Sequence, residues 1–312
     1  MELIKPGTKI DFIGKRRYAY LFSLILIAVS VGSLILHGGP NYGIDFAGGS
    51  LIQVKFNKAV GIKDVKNVLL KMGLKEAIVQ NFKEGEENEY IIRVVRTEMD
   101  ITTLSEKVKE NMDKKFGFGS VDLRRVEMVG PKVGEDLKKK GLYAVLLAVV
   151  GILIYVSVRF EFRYALGAVI ALVHDATITL GAFSILNLEV SLPIVAAILT
   201  VIGYSINDTI VVFDRVRENM RKARKTPEDE VMNESINETL SRTIMTSGMT
   251  LLAVLALYFF GGGVIHDFAF ALIVGIVIGT YSTIYIASPV VLIWNKLFPQ
   301  KSPLQKGRRK RR

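Results

Sequence analysis

Cysteine is missing from all 312 residues, which excludes disulfides, thiol nucleophiles and cysteine-held iron–sulfur clusters. The three histidines, His37, His174 and His266, are scattered along the chain, so a histidine-based zinc site is not expected either. Neither a GxxxxGK[ST] run nor a GxGxxG fingerprint occurs, which leaves ATP and dinucleotide binding without a sequence basis. No set of residues reads as a catalytic constellation, and the chain is not expected to be an enzyme, nor to hold a cofactor or a metal.

Charge of either sign is absent from long stretches. Half of the residues are apolar, and six stretches have roughly the 20 apolar residues that a bilayer-spanning helix needs. They are Tyr18 to Leu36, Gly141 to Val158, Tyr164 to Leu186, Ser191 to Phe213, Arg242 to Phe260 and Phe268 to Trp294. The first follows Lys15, Arg16 and Arg17 but shows no small-residue cleavage site after it, so it reads as a retained anchor. An α-helical polytopic membrane protein with one soluble insert is the expected class. Its parts are a tail over 1–17, a first span over 18–36, an insert over 37–140, a five-helix region over 141–294 and a basic tail over 295–312.

The net charge of +11 does not indicate nucleic acid, because the basic residues gather beside the apolar stretches. Residues 1–17, 159–163, 214–241 and 295–312 carry 21 Lys and Arg, whereas the opposing loops Asn187 to Val190 and Gly261 to Asp267 carry none. The positive-inside rule then puts both termini in the cytoplasm of a multi-pass plasma (inner) membrane protein and the insert outside. Within the insert, Ser50 to Phe56, Ala77 to Phe82, Glu89 to Val95 and Val121 to Met128 alternate like strands, while Ile62 to Met72 and Ile101 to Lys115 have helical spacing. The resulting β-α-β-β-α-β order, with an acidic turn at Lys83 to Asn88, is that of a ferredoxin-like α+β domain.

Polar residues inside apolar stretches carry the functional signal. A charged Asp at the centre of a spanning helix costs about 2.5–3.5 kcal/mol on insertion scales and is kept for a partner or a task. Asp208, next to Asn207, shares one helical face with Tyr204 and Thr200. Arg242 opens the fifth stretch with Thr246 and Thr250 on its own face. Since the fourth and fifth stretches run in opposite directions, Asp208 and Arg242 can approach each other. Ion or proton handling and a plain interhelical bond both fit Asp208, and a snorkelling arginine fits Arg242. Asp175, beside His174, lies about 17 Å along the third stretch from Tyr164. His174 can relay protons or bond a neighbouring carbonyl, and Thr179 can share a proton or water with Asp175. Gly275 and Gly279 form a G-x-x-x-G packing face, and Gly261 to Gly263 reads as a flexible turn.

Five ordered segments resemble the SecF family of SecD–SecF protein-export complexes, within the resistance–nodulation–division (RND) superfamily. They are GIDFAGGS (Gly43 to Ser50), VGPKVGEDL (Val129 to Leu137), RFEFRYALGAVIALVHD (Arg159 to Asp175), GYSINDTIVVFDRVREN (Gly203 to Asn219) and ETLSRTIMTS (Glu238 to Ser247). The resemblance implies six RND-type helices with a ferredoxin-like extracytoplasmic domain. It also implies a SecD-like partner supplying the other six helices and a place beside the SecYEG channel, where the emerging preprotein is the substrate. The proton motive force is then the energy source, linked to Asp208 and Arg242 as the positions matching the NDT and SRT motifs. A lone membrane carboxylate suits sodium as well as protons. By this reading the faces around Asp175 and Asp208 would meet lipid without the partner. The alternatives are a half-sized RND exporter of lipids or small hydrophobic molecules, and a structural scaffold, which has no need of ionisable residues in the bilayer.

Overall fold

A computed structural model describes residues 8–75, 77–82, 88–94, 100–223 and 226–298. Most of the acidic turn at 83–88 and of the basic tail, including Arg308 to Arg312, lies outside the described residues.

Helix α1 (Arg16–Leu36) leads to a short helix α2 (Ile44–Ala47) and then to the insert. The insert comprises β1 (Gly49–Phe56), α3 (Ile62–Lys71), β2 (Ile78–Asn81), β3 (Glu89–Val94), α4 (Ile101–Phe116) and β4 (Val121–Val129). Its four strands are antiparallel in the order β2-β3-β1-β4, the ferredoxin-like arrangement expected from the element order. Alternation decides the faces. Ile52, Val54 and Phe56 of β1 and Tyr90, Ile92 and Val94 of β3 point to the same buried side. There they meet Val65, Val68 and Leu69 of α3 and Leu104, Val108 and Met112 of α4, residues spaced along one helical face. Asp100 caps α4 by accepting from the Thr102 amide at 3.2 Å.

The membrane region holds α5 (Pro131–Arg159), α6 (Phe162–Ile185), α7 (Leu192–Lys222), α8 (Glu228–Phe260) and α9 (Gly263–Ser282), then a π-helical turn (Thr283–Ala287) and α10 (Ser288–Leu297). Among the described residues, six helical spans are long and apolar enough to cross a membrane, the last running from Gly263 to Leu297. Three of these helices extend beyond their apolar stretches. α5 begins at Pro131 rather than near 141, and the expected loop between Asp214 and Ser241 is mostly helix, since α7 runs to Lys222 and α8 starts at Glu228. Charge ends a membrane stretch, not a helix. Val216 continues the buried face of α7, and Val231, Met232, Ile236 and Leu240 that of α8, while Glu228, Asp229 and Glu230 favour the helix start.

Burial separates the helices into two sets. The apolar windows of α6, α7 and the last span are 56%, 50% and 50% buried, those of α1, α5 and α8 only 17%, 11% and 17%. The central three are the helices that carry Asp175, Asp208 and the G-x-x-x-G face. A Cβ on Gly275 would stand 2.1 Å from Val201 Cγ2, and one on Gly279 3.0 Å from Ser205 Cβ, so both glycines admit α7. The close helix packing expected of this face is therefore present, and the helix it admits is α7.

Candidate functional site

Asp208 is 4% exposed and accepts a hydrogen bond from Ser247 Oγ of α8 at 3.1 Å. Ser247 in turn accepts from Thr280 of α9 at 3.0 Å, so one carboxylate ties three helices together. The neighbouring Thr246 hydroxyl is spent on the Arg242 carbonyl at 3.0 Å and the Thr243 carbonyl at 3.1 Å, and the Arg242 guanidinium acts on Asp208 through its field, with no ion pair between them among the described residues. One turn outward, Tyr204 donates to Thr250 at 3.3 Å. The helices that carry Asp208 and Arg242 meet along one seam, but the guanidinium is exposed and forms no ion pair with the carboxylate among the described residues. Thr200 spends its hydroxyl on the Ala196 carbonyl at 2.8 Å, and Asn207 is exposed beside it on the outer face of α7.

Asp175 is completely buried and forms a second centre. Its Oδ2 accepts from Ser205 of α7 at 2.7 Å and from Ser282 of α9 at 2.8 Å, and its Oδ1 meets His174 Nδ1 at 2.9 Å. His174 Nε2 lies 3.2 Å from Ser23 of α1, which lies 2.9 Å from the Tyr281 hydroxyl. His174 therefore bonds side chains, not a backbone carbonyl. Thr179 donates to the Asp175 carbonyl at 2.8 Å and leaves the carboxylate alone. Immediately after Ser282 the last span adopts its π turn, where Thr283 meets Thr209 at 2.8 Å. Such turns often mark functional positions.

The burial of both carboxylates corrects one expectation: Asp175 and Asp208 are covered by this chain's own helices, and neither faces lipid. Ala196, Thr200, Gly203 and Asn207 form an exposed row of small and polar residues along α7, and Arg242 is exposed on α8. Ser205, Ser247 and Ser282 were not singled out in the sequence. Serine is common in spanning helices, and only the register between helices aims these three at carboxylates.

Outside the membrane, Gly48 and Gly49 have φ values of +73° and +119°, and a Cβ on Gly48 would sit 2.9 Å from Pro131 Cα. This glycine pair folds the chain sharply between α2 and β1 against the start of α5. The Gly43 amide donates to the Val190 carbonyl at 3.0 Å, and Asp45 accepts from the Leu192 amide at 2.8 Å. The foot of the insert is thereby fixed to the beginning of α7. Higher on the domain, buried Arg93 of β3 pairs with Glu189 of the α6–α7 loop and donates to Gln80 at 3.0 Å. Burial pulls its guanidinium down to about 10, with nearby Asp267 of α9 opposing. Gly263 is more than part of a flexible turn, because a Cβ there would stand 2.6 Å from the Phe82 ring.

Both halves of this geometry have counterparts. The family model for the C-terminal region of the SecD/SecF protein export membrane proteins matches residues 107–297, and the SecD/SecF GG motif matches 33–60. The chain belongs to the SecD/SecF family. The match to the GG motif contains the Gly48–Gly49 fold, and the C-terminal match contains Asp175, Asp208 and Arg242. The protein translocase subunit SecF of Magnetococcus marinus is 49% identical over 296 residues, covering 94% of both chains. That of Vibrio alginolyticus is 47% identical over 305 residues, covering 97% of this chain and 94% of its own. Among solved structures, the SecDF crystal structure from Thermus thermophilus is 38% identical with a TM-score of 0.83, covering 93% of this chain and 39% of that one. A SecDF crystal structure in a super-membrane-facing form is 38% identical with a TM-score of 0.69, covering 95% of this chain and 40% of that one. This chain therefore spans about two fifths of the SecDF chains it matches and nearly the whole of the SecF relatives.

Proposed function

We propose that this protein is a SecF-type accessory subunit of the protein translocase, a transport protein rather than an enzyme. With a SecD-like subunit it uses the proton motive force to help preproteins leave the SecYEG channel on the outer side. Its likeness to SecF relatives along nearly its whole length supports this reading, and its match to two fifths of SecDF supports a SecD-type half as the missing remainder. The open row Ala196, Thr200, Gly203 and Asn207, small and polar in a bilayer, is where that half docks. The exporter alternative finds no support in these relatives, all of which are translocase proteins. Both termini lie in the cytoplasm of the inner membrane and the ferredoxin-like domain outside, as the distribution of Lys and Arg requires.

One observation carries the mechanism: Asp208 is buried at the α7–α8 seam within the field of Arg242, which has no ion pair among the described residues. Burial favours a neutral carboxyl, whereas an approaching guanidinium favours the carboxylate. Helix motion that changes their separation therefore takes up or releases a proton. Each charge crossing the membrane is worth about 2.3 kcal/mol per 100 mV, enough to bias a two-state equilibrium more than tenfold. The fixed foot at Asp45 and Val190 passes movement of α7 to the outer domain. His174 and Asp175 serve the same route as a buried polar link between α1, α6, α7 and α9.

The test uses vesicles containing this chain with a SecD-like subunit, in which proton and sodium gradients are imposed separately and preprotein release is followed. Release that depends on the proton gradient alone is expected. Release indifferent to both gradients contradicts the reading, and dependence on sodium alone replaces the coupling ion.

A further inference from the structure

The polar pairs along the α7–α8 seam set its register. Tyr204 meets Thr250, Asp208 meets Ser247, Arg215 Nε meets Glu238 at 2.9 Å and Asn219 meets Ser235 at 3.1 Å. As one number rises the other falls, as two antiparallel helices require. By that register Arg242 stands between two acids, Asp208 on the membrane side and Glu238 one helical turn back on α8. Arg242 and Glu238 line one cavity of about 540 Å³ that opens where α5 ends, and no hydrogen bond or ion pair holds Arg242 among the described residues.

We propose that Glu238 is the second resting place of the Arg242 guanidinium, so that the arginine alternates between Asp208 and Glu238 as Asp208 loses and gains its proton. The inference rests on the proton reading of Asp208 and adds a positioning residue to it. When a proton binds an Asp208 carboxylate oxygen, the anion facing Arg242 disappears and Glu238 is the nearest remaining one on α8. When that O–H bond breaks and the proton passes on to water, Arg242 returns.

The other charges explain why Glu238 holds this place. Glu218 is engaged by Arg215 at 2.8 Å and by Lys222 at 2.6 Å, and Asp214 faces Arg159 of α5 at 3.7 Å. Glu238 is held by Arg215 and by Asn219 at 2.7 Å, and Arg215 keeps Glu218 when Arg242 arrives. Arg217, which lies over the Phe160 ring, and exposed Arg221 add positive charge to the same cavity. Without Glu238 that field repels Arg242 and confines it near Asp208.

The test measures proton flux against pH in vesicles carrying the chain with a SecD-like subunit, with assembly checked in the same preparation. In Glu238→Gln, Arg242 stays beside Asp208 and favours its ionised form. The pH of half-maximal flux should fall by about one unit, and Glu238→Asp should fall by less. A role confined to helix packing would lower the melting temperature and leave the profile in place. An unshifted profile in assembled Glu238→Gln overturns the proposal. If that variant does not assemble, an unshifted profile in Glu238→Asp does so instead. Flux that persists in Asp208→Asn overturns the underlying proton reading, and the two failures are thus told apart.

Discussion

Asp175 and Asp208 are both buried carboxylates in spanning helices, yet their surroundings assign them different work. Asp175 has three side-chain partners from α6, α7 and α9, whereas Asp208 has Ser247 as its bonded partner and the exposed Arg242 in its field. Satisfied groups hold structure, and undersatisfied ones respond. Ser205→Ala and Ser282→Ala should each destabilise the folded chain by about 0.6–1.7 kcal/mol, the range of interhelical hydrogen bonds in membranes. Because both donate to Asp175 Oδ2, the double variant should cost more than the sum, since the last donor's loss leaves a buried oxygen bare. Unfolding in detergent and urea measures this, and strict additivity would argue against a shared acceptor. At this scale the sequence showed which acids matter but not who bonds them. Asp175, His174, Asp208 and Arg242 stand out against apolar neighbours, while Ser205, Ser247 and Ser282 do not. Hydroxyls in spanning helices gain meaning only from helix register, which no single segment encodes.

Element lengths were less legible than element kinds. The six spans and the βαββαβ order follow from periodicity and from runs without charge. The helical extensions at 131–140, 214–222 and 228–241 do not, because a polar segment can be a helix continuing into water as easily as a loop. Packing between elements was partly readable, and Gly275 with Gly279 fixes it. Gly275→Ala should destabilise by about 1–3 kcal/mol, as overpacking of a tight contact does, because its Cβ meets Val201. Adding Val201→Ala should restore much of the loss, and failure of that rescue would place the effect elsewhere. Orientation can be read from single cysteines, since the chain has none of its own. A membrane-impermeant thiol reagent should reach Lys58→Cys on the insert only from outside and Glu234→Cys on α8 only from the cytoplasm. The reverse pattern at either position contradicts the charge-based topology.

The molecule as a whole joins its membrane helices to the ferredoxin-like domain through several attachments. Beside the foot at Gly43 and Asp45, one is the glycine-pair fold at Gly48 and Gly49, and the second is Arg93 with Glu189 and nearby Asp267. The second could not be read from sequence, since Arg93 alternates on the outward face of a strand while Glu189 lies in a loop and Asp267 in α9, both far along the chain. Removing it leaves two acids without their cation, so Arg93→Ala should raise hydrogen exchange in loop 187–190 on the order of tenfold, about 1.4 kcal/mol of local opening. The exchanged pair Arg93→Glu with Glu189→Arg should recover part of the protection, and unchanged exchange in Arg93→Ala would remove this attachment from the account. The proposed function turns on proton binding at Asp208. Asp208→Asn keeps the shape of the side chain and cannot titrate. Preprotein release in vesicles bearing the assembled variant with its SecD-like partner is the direct measurement. The account predicts that the proton gradient no longer stimulates release while ATP-driven early translocation continues; normal gradient-dependent stimulation in the assembled variant would contradict it.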